Sequence, residues 1–125
     1  MKKISTLLAG MIVAGMTLQA QDATSLYKEG VTLKNQKKVV EALDKFKKAL
    51  AIKPDYTEAL YEMGWCQNDL KEYTSAIASL RKARVGWPAI PKVHFELGYA
   101  FEKNKNADSA IACYKKCIQY KADYS

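Results

Sequence analysis

The sequence predicts an all-α chain in which three helical hairpins of 34 residues stack in tandem, and three observations predict it. Sliding the chain against itself by 34 residues aligns matched columns without a gap: Gly30, Gly64 and Gly98; Ala42, Ala76 and Ala110; Phe46, Leu80 and Tyr114; Ala49, Ala83 and Cys117. Within each unit the apolar residues recur at helical spacing, as in Leu26, Gly30 and Leu33, or Ala42, Leu43, Phe46, Ala49 and Leu50. Polar turns and two prolines, Pro54 and Pro88, interrupt that pattern once or twice per unit.

The first twenty residues stand apart. Met1, Lys2 and Lys3 form a basic start, and Ile4 to Leu18 carries no charge. An apolar run of this length falls short of the roughly 20 residues that span a bilayer, and the small residue Ala20 follows it, so a secretory signal peptide over 1–20 is expected. The mature chain then starts at Gln21 and is exported, to a bacterial periplasm or beyond. Loss of Lys2 and Lys3 leaves 18 basic and 13 acidic residues. The excess is concentrated in the first unit, which holds 8 basic and 4 acidic residues. In an exported protein such a cluster reads as a solvated helix face rather than a nucleic-acid site.

Taken in order, the units are Ala23–Tyr56, Thr57–Ile90 and Pro91–Tyr124, together one domain over 21–125. Each holds two helices of about 13 residues, the first ending near Asn35, Asn68 and Asn104. Short connections make the paired helices antiparallel. The glycine and alanine columns let two backbones approach closely, and the bulky column of Phe46, Leu80 and Tyr114 fills the adjacent space. Pro54 and Pro88 cannot continue a helix, so each closes its unit's second helix.

These columns resemble the tetratricopeptide repeat, whose pattern places a large apolar residue, Leu-Gly, Tyr, Ala, an aromatic, Ala and Pro at fixed positions of 34. Counted from Ala23, Thr57 and Pro91, position 4 is Leu26, Leu60 and His94, and position 7 is Glu29, Met63 and Leu97. The departures are Glu29, which weakens the core face of the first helix, Gln67 in place of Tyr, and Ala122 in place of a third proline. The resemblance implies a short right-handed α-solenoid whose first helices line a concave face, and a protein that binds other polypeptides rather than catalyses a reaction.

On those first helices one stripe, positions 2, 5, 9 and 12 of each unit, holds Thr24, Tyr27, Val31 and Lys34, then Glu58, Tyr61, Trp65 and Asn68, then Lys92, Phe95, Tyr99 and Glu102. These positions are not the ones the repeat reserves for its core, yet five of the six residues at its two central positions are aromatic. An exposed aromatic ladder between charges suits a groove for a polypeptide segment, with Trp65 at its centre. The family's carboxylate-gripping set is missing: the equivalent positions are Tyr27, Val31, Glu62, Lys92 and Glu96, of which only Lys92 fits. Glu58 and Glu62, one turn apart, read as surface charges. A mixed-charge partner segment with apolar anchors follows.

No Ser/His/Asp set, phosphate loop or catalytic carboxylate pair can be assembled, so no enzyme and no cofactor are expected. Cys66 and Cys117 occupy small-residue positions and read as buried, leaving Cys113 as the candidate for a disulfide between chains. Two thiolates at Cys113 and Cys117 with the imidazole of His94 make a metal site conceivable, but His94 fills a large core position and no fourth ligand is evident. A structural alternative to partner binding is self-association through the third unit, whose Ile111, Tyr114 and Ile118 would lie at an uncovered end.

Overall fold

The computed structural model describes residues 22–123, all of whose regular structure is helical. The expected signal peptide and the final residues lie outside that range. The helices are α1 over residues 22–35, α2 Val39–Ile52, α3 Thr57–Asp69, α4 Tyr73–Gly86, α5 Pro91–Lys103 and α6 Ala107–Asp123. Consecutive helices pack on one another, and α3 also touches α5 directly, so the first helices of successive hairpins form one layer.

Each hairpin turn is closed in the same way. Lys37, Lys71 and Lys105 adopt left-handed backbone angles, with φ of 66°, 63° and 62°. The next amide reaches back five residues: Lys38 donates to Leu33 at 2.9 Å, Glu72 to Gln67 at 2.8 Å and Asn106 to Phe101 at 2.8 Å. This pattern satisfies the last carbonyls of the first helix and is the one usually built around glycine. At the other turn, Lys53 and Trp87 are extended (φ −128° and −127°) before Pro54 and Pro88, as the proline rings demand. Pro91 opens α5 in the first turn, where its missing N–H costs nothing. Asn106 accepts the Ser109 amide at 3.2 Å and so caps α6.

The glycine column sets the distance between the two helices of a hairpin. A Cβ on Gly30 would lie 2.6 Å from Phe46, one on Gly64 2.5 Å from Leu80, and one on Gly98 2.8 Å from Tyr114. Glycine and bulky columns are thus the two halves of one contact. Ala42, Ala76, Ala49 and Ala83 are fully buried beside it.

Contacts between hairpins use a second set of positions. Ala59 and Cys66 on α3, and Val93, Leu97 and Ala100 on α5, are fully buried against the preceding hairpin. Their counterparts on α1, Ser25, Glu29 and Thr32, are polar and exposed, and Glu29 pairs with Lys45 at 3.0 Å. The outer face of α1 is therefore a polar cap, which accounts for Glu29. The opposite end differs. Leu43 and Ile77 are 6% and 7% exposed beneath the following hairpin, whereas their counterpart Ile111 is 52% exposed and Ile118 69%.

Polar residues inside the stack each find a partner for one side-chain atom, while His94 Nδ1 and Asn68 Oδ1 have none among the described residues. Gln67 accepts a 2.6 Å hydrogen bond from the Ser79 hydroxyl, so the pair replaces the aromatic residue the repeat would place there. His94, 1% exposed, has Nε2 2.7 Å from the Pro88 carbonyl and its ring 5.1 Å from that of Tyr120.

Candidate functional site

The inner layer, α3 and α5 with α1 beside them, places the stripe residues in unequal surroundings. Tyr27 is half-buried, its ring 5.9 Å from Phe46 and 5.2 Å from Tyr56, and Val31 packs against the same N-terminal core. Glu58 is half-buried. Tyr61, expected on the open ladder, is only 7% exposed: it packs 6.2 Å from Trp87, and the Lys92 ammonium lies 4.5 Å above its ring. Trp87 comes from the turn between hairpins, which is why helix periodicity alone could not bury Tyr61. Burial also raises the Tyr61 hydroxyl pKa well above its ordinary value.

Of the remaining rings Phe95 is exposed, while Trp65 and Tyr99 are half-buried, Trp65 against the core that Tyr27 and Val31 also join. Phe95 is 49% exposed over Tyr114, and Tyr99 meets Tyr73 edge-on at 6.2 Å, with Lys103 5.5 Å from its ring. These three rings, with Asn68, Asp69 and Glu96, line a cleft of about 190 Å³ between α3 and α5.

Beneath the rings runs a polar seam in which Lys34 and Asn68, both on the stripe, meet Glu62 and Glu96, which lie off it. Lys34 on α1 meets Glu62 on α3 at 2.5 Å, and Asn68 on α3 donates to Glu96 on α5, to its carbonyl and to its carboxylate, both at 3.0 Å. Both links span 28 residues, joining the last turn of one first helix to the middle of the next. Glu62 is thus 8% exposed and paired, not the surface charge expected from its spacing to Glu58. Lys34, expected to meet a partner, is committed to Glu62 and lies 4.9 Å from the Trp65 ring. Glu96 lay off the stripe, yet reaches the cleft. Burial raises its carboxyl pKa above the usual value, against the Asn68 hydrogen bond and Lys34, which lower it, and with Glu62, which raises it. Asn68 is 4% exposed, and its Oδ1 has no hydrogen-bond partner among the described residues.

The cysteines exchange their expected places. Cys66 is fully buried, and burial pushes its thiol up to about 12. Cys113, expected to be the available thiol, is 7% exposed against Gly98, while Cys117 is half-buried. Its counterparts Ala49 and Ala83 lie under the next hairpin, and no described helix covers Cys117 in that way. All three thiols are free. Among the described residues no three His, Cys, Asp or Glu side chains converge as a metal site would require, and no helix is long and apolar enough to cross a membrane.

No curated protein matches the chain. Solved structures do. MamA from residue 41 onward, from Desulfovibrio magneticus RS-1, is 24% identical with a TM-score of 0.76, over 78% of this chain and 55% of that one. Another crystal structure of MamA is 22% identical with a TM-score of 0.75, over 82% and 60%. The first TPR of Spaghetti (RPAP3), bound to the HSP90 peptide SRMEEVD, is 20% identical with a TM-score of 0.77, over 82% and 81%. The chain spans little more than half the length of these MamA structures, and at such identities the likeness establishes the fold. Models of the tetratricopeptide repeat match residues 33–85 and 91–124, the region in which the glycine, alanine and bulky columns recur. An all-helical stack with those columns in contact, matched by both family models, means that the chain belongs to the tetratricopeptide repeat family.

Proposed function

We propose that this chain is an exported protein-interaction module that holds a segment of another polypeptide across α3 and α5. The observation that carries the reading is that exposed Phe95 and half-buried Trp65 and Tyr99 together line one cleft on the inner face. Rigid aromatic surface bordered by charge is what a polypeptide-binding cleft needs. The Spaghetti repeat domain, similar in fold, is bound to a peptide, which supports a groove of this kind. Glu96 and Asp69, which line the cleft, disfavour an acidic tail as occupant.

The test is capture of binding proteins from the native extract on immobilised protein, wild type against Trp65→Ala. Removing this ring should cost about 2 kcal/mol of binding with the helical spectrum unchanged. Capture undiminished by the substitution would refute the groove. Export rests on the basic start and uncharged apolar run of residues 1–20. Sequencing the N-terminus of protein from the native host should find Gln21 first, and Met1 retained would overturn it.

A second reading, self-association, is favoured by one comparison: Ile111 is 52% exposed where Leu43 and Ile77 are covered. Light scattering at tens of micromolar should then show a dimer that Ile111→Lys dissolves. A strictly monomeric mass would remove this reading.

A further inference from the structure

We infer that the cleft between α3 and α5 receives an arginine side chain of the bound polypeptide, its guanidinium stacked on the aromatic wall and donating to Asn68 Oδ1 and to the Glu96 carboxylate. This rests on the groove reading above and specifies the chemistry of its occupant.

Three observations meet at this place. The first is an unused acceptor: Asn68 is 96% buried, spends its amide nitrogen on Glu96, and leaves Oδ1 without a donor. A buried carbonyl oxygen without a partner is costly, and only a donor supplied from outside satisfies it. The second is charge. Glu96 and Asp69 both line the cleft, and of the lysines beside its rings Lys34 is held by Glu62 and Lys103 stands over Tyr99. A cation entering the cleft therefore meets carboxylates, while an anion is repelled. The third is the wall itself. Trp65, Phe95 and Tyr99 present ring faces, and the chain already places ammonium groups over two of them, Lys34 at 4.9 Å from Trp65 and Lys103 at 5.5 Å from Tyr99. Ring faces in this site accept cations.

Arginine fits this combination better than lysine. A planar guanidinium can lie flat on an aromatic ring while its edge donates to a carboxylate and an amide oxygen together. An ammonium on a flexible stem offers neither the flat face nor the forked edge.

The experiment is an NMR titration of the isotope-labelled full chain with three blocked tripeptides, acetyl-Gly-X-Gly-amide, in which X is arginine, lysine or citrulline. Citrulline keeps the shape of arginine and removes its charge. Saturable shifts of the Trp65 indole N–H and the Asn68 side-chain amide are expected with the arginine peptide, which should bind about tenfold more tightly than the citrulline peptide. Glu96→Gln should weaken the arginine peptide by a similar factor. Asp69→Asn, on the exposed rim and harmless to the fold, should weaken it by roughly twofold to threefold, and serves should Glu96→Gln fail to fold. Equal binding of the arginine and citrulline peptides, or shifts that leave Trp65 and Asn68 unmoved, would overturn the inference. If the arginine site fails in this way while Trp65→Ala still abolishes partner capture, the groove stands and only its proposed occupant falls.

Discussion

Replacing Gly64 by alanine tests whether the glycine column fixes the spacing of each hairpin. The new Cβ would sit 2.5 Å from Leu80 Cγ and 2.7 Å from Cδ2, where carbon atoms in contact normally stand roughly 3.5–4.0 Å apart. Relief requires α3 and α4 to separate by roughly 1 Å, or Leu80 to leave its rotamer. Leu80 is fully buried, so it has nowhere to turn. Overpacking of this kind costs about 1–3 kcal/mol, with the upper end appropriate here, against a gain of about 1 kcal/mol from placing alanine rather than glycine in a helix. A net loss of about 2 kcal/mol remains, or a fall in Tm on the order of 10 °C for a domain of this size. Circular dichroism in a thermal or urea series measures it. Gly98→Ala supplies the comparison: its Cβ would lie 2.8 Å from the half-buried ring of Tyr114, which can swing outward, and 3.2 Å from Cys113 Cβ, so it should cost less than Gly64→Ala. Truncating Leu80 to alanine should make Gly64→Ala less costly, so the double variant loses less than the two single losses combined. Gly64→Ala at wild-type stability, or costs at Gly64 and Gly98 that do not differ, would refute the steric argument.

Lys71→Gly should stabilise the fold by up to about 1 kcal/mol, because it removes a side chain from a left-handed position, while Lys71→Val should destabilise it; urea midpoints give the sign of each. Glu96→Gln should alter the pH dependence of stability. The folded protein keeps the Glu96 proton to higher pH than the unfolded chain, so this residue's contribution is complete below the ordinary glutamate value of about 4.3 and is lost as pH rises through the higher folded value. Glutamine should abolish that decline and raise Tm at neutral pH. Unchanged Tm profiles from mildly acidic to neutral pH would show that the Glu96 charge carries no burial penalty. Alkylation of the native protein, followed by peptide mass spectrometry, should modify Cys117 well before Cys66, whose thiol is buried and raised to about 12. Labelling of Cys66 at a rate equal to that of Cys117 would mean that the α2–α3 contact opens readily.

The parts of the fold that were legible in the sequence are those where sterics leave one choice. Gly64 faces Leu80 too closely for any Cβ, so that position had to be glycine, and an identical spacing in three units disclosed it. The polar seam was not legible because only half of it repeats: Glu62 and Glu96 share one repeat position, but their partners at the other, Lys34 and Asn68, differ in chemistry. Tyr61 was misplaced because its cover, Trp87, comes from a turn and not from a helix face. The left-handed lysines escaped notice for a related reason: lysine has no preference for that backbone region, so nothing in its identity marks the turn. Cys113 and Cys117 exchanged roles because a residue's column predicts burial only where another hairpin covers it.

The unlike ends of the stack give it a direction. Before α1, a further repeat would have to bury the Glu29–Lys45 ion pair and the hydroxyls of Ser25 and Thr32, which costs free energy. After α6, the same repeat would find Ile111 and Ile118 waiting, a surface already shaped like those that Leu43 and Ile77 offer inside the stack. Duplication in evolution, or grafting at the bench, can therefore lengthen this array at its C-terminal side while the N-terminal side refuses every newcomer. Over residues 22–123 the stack has one polar edge and one apolar edge.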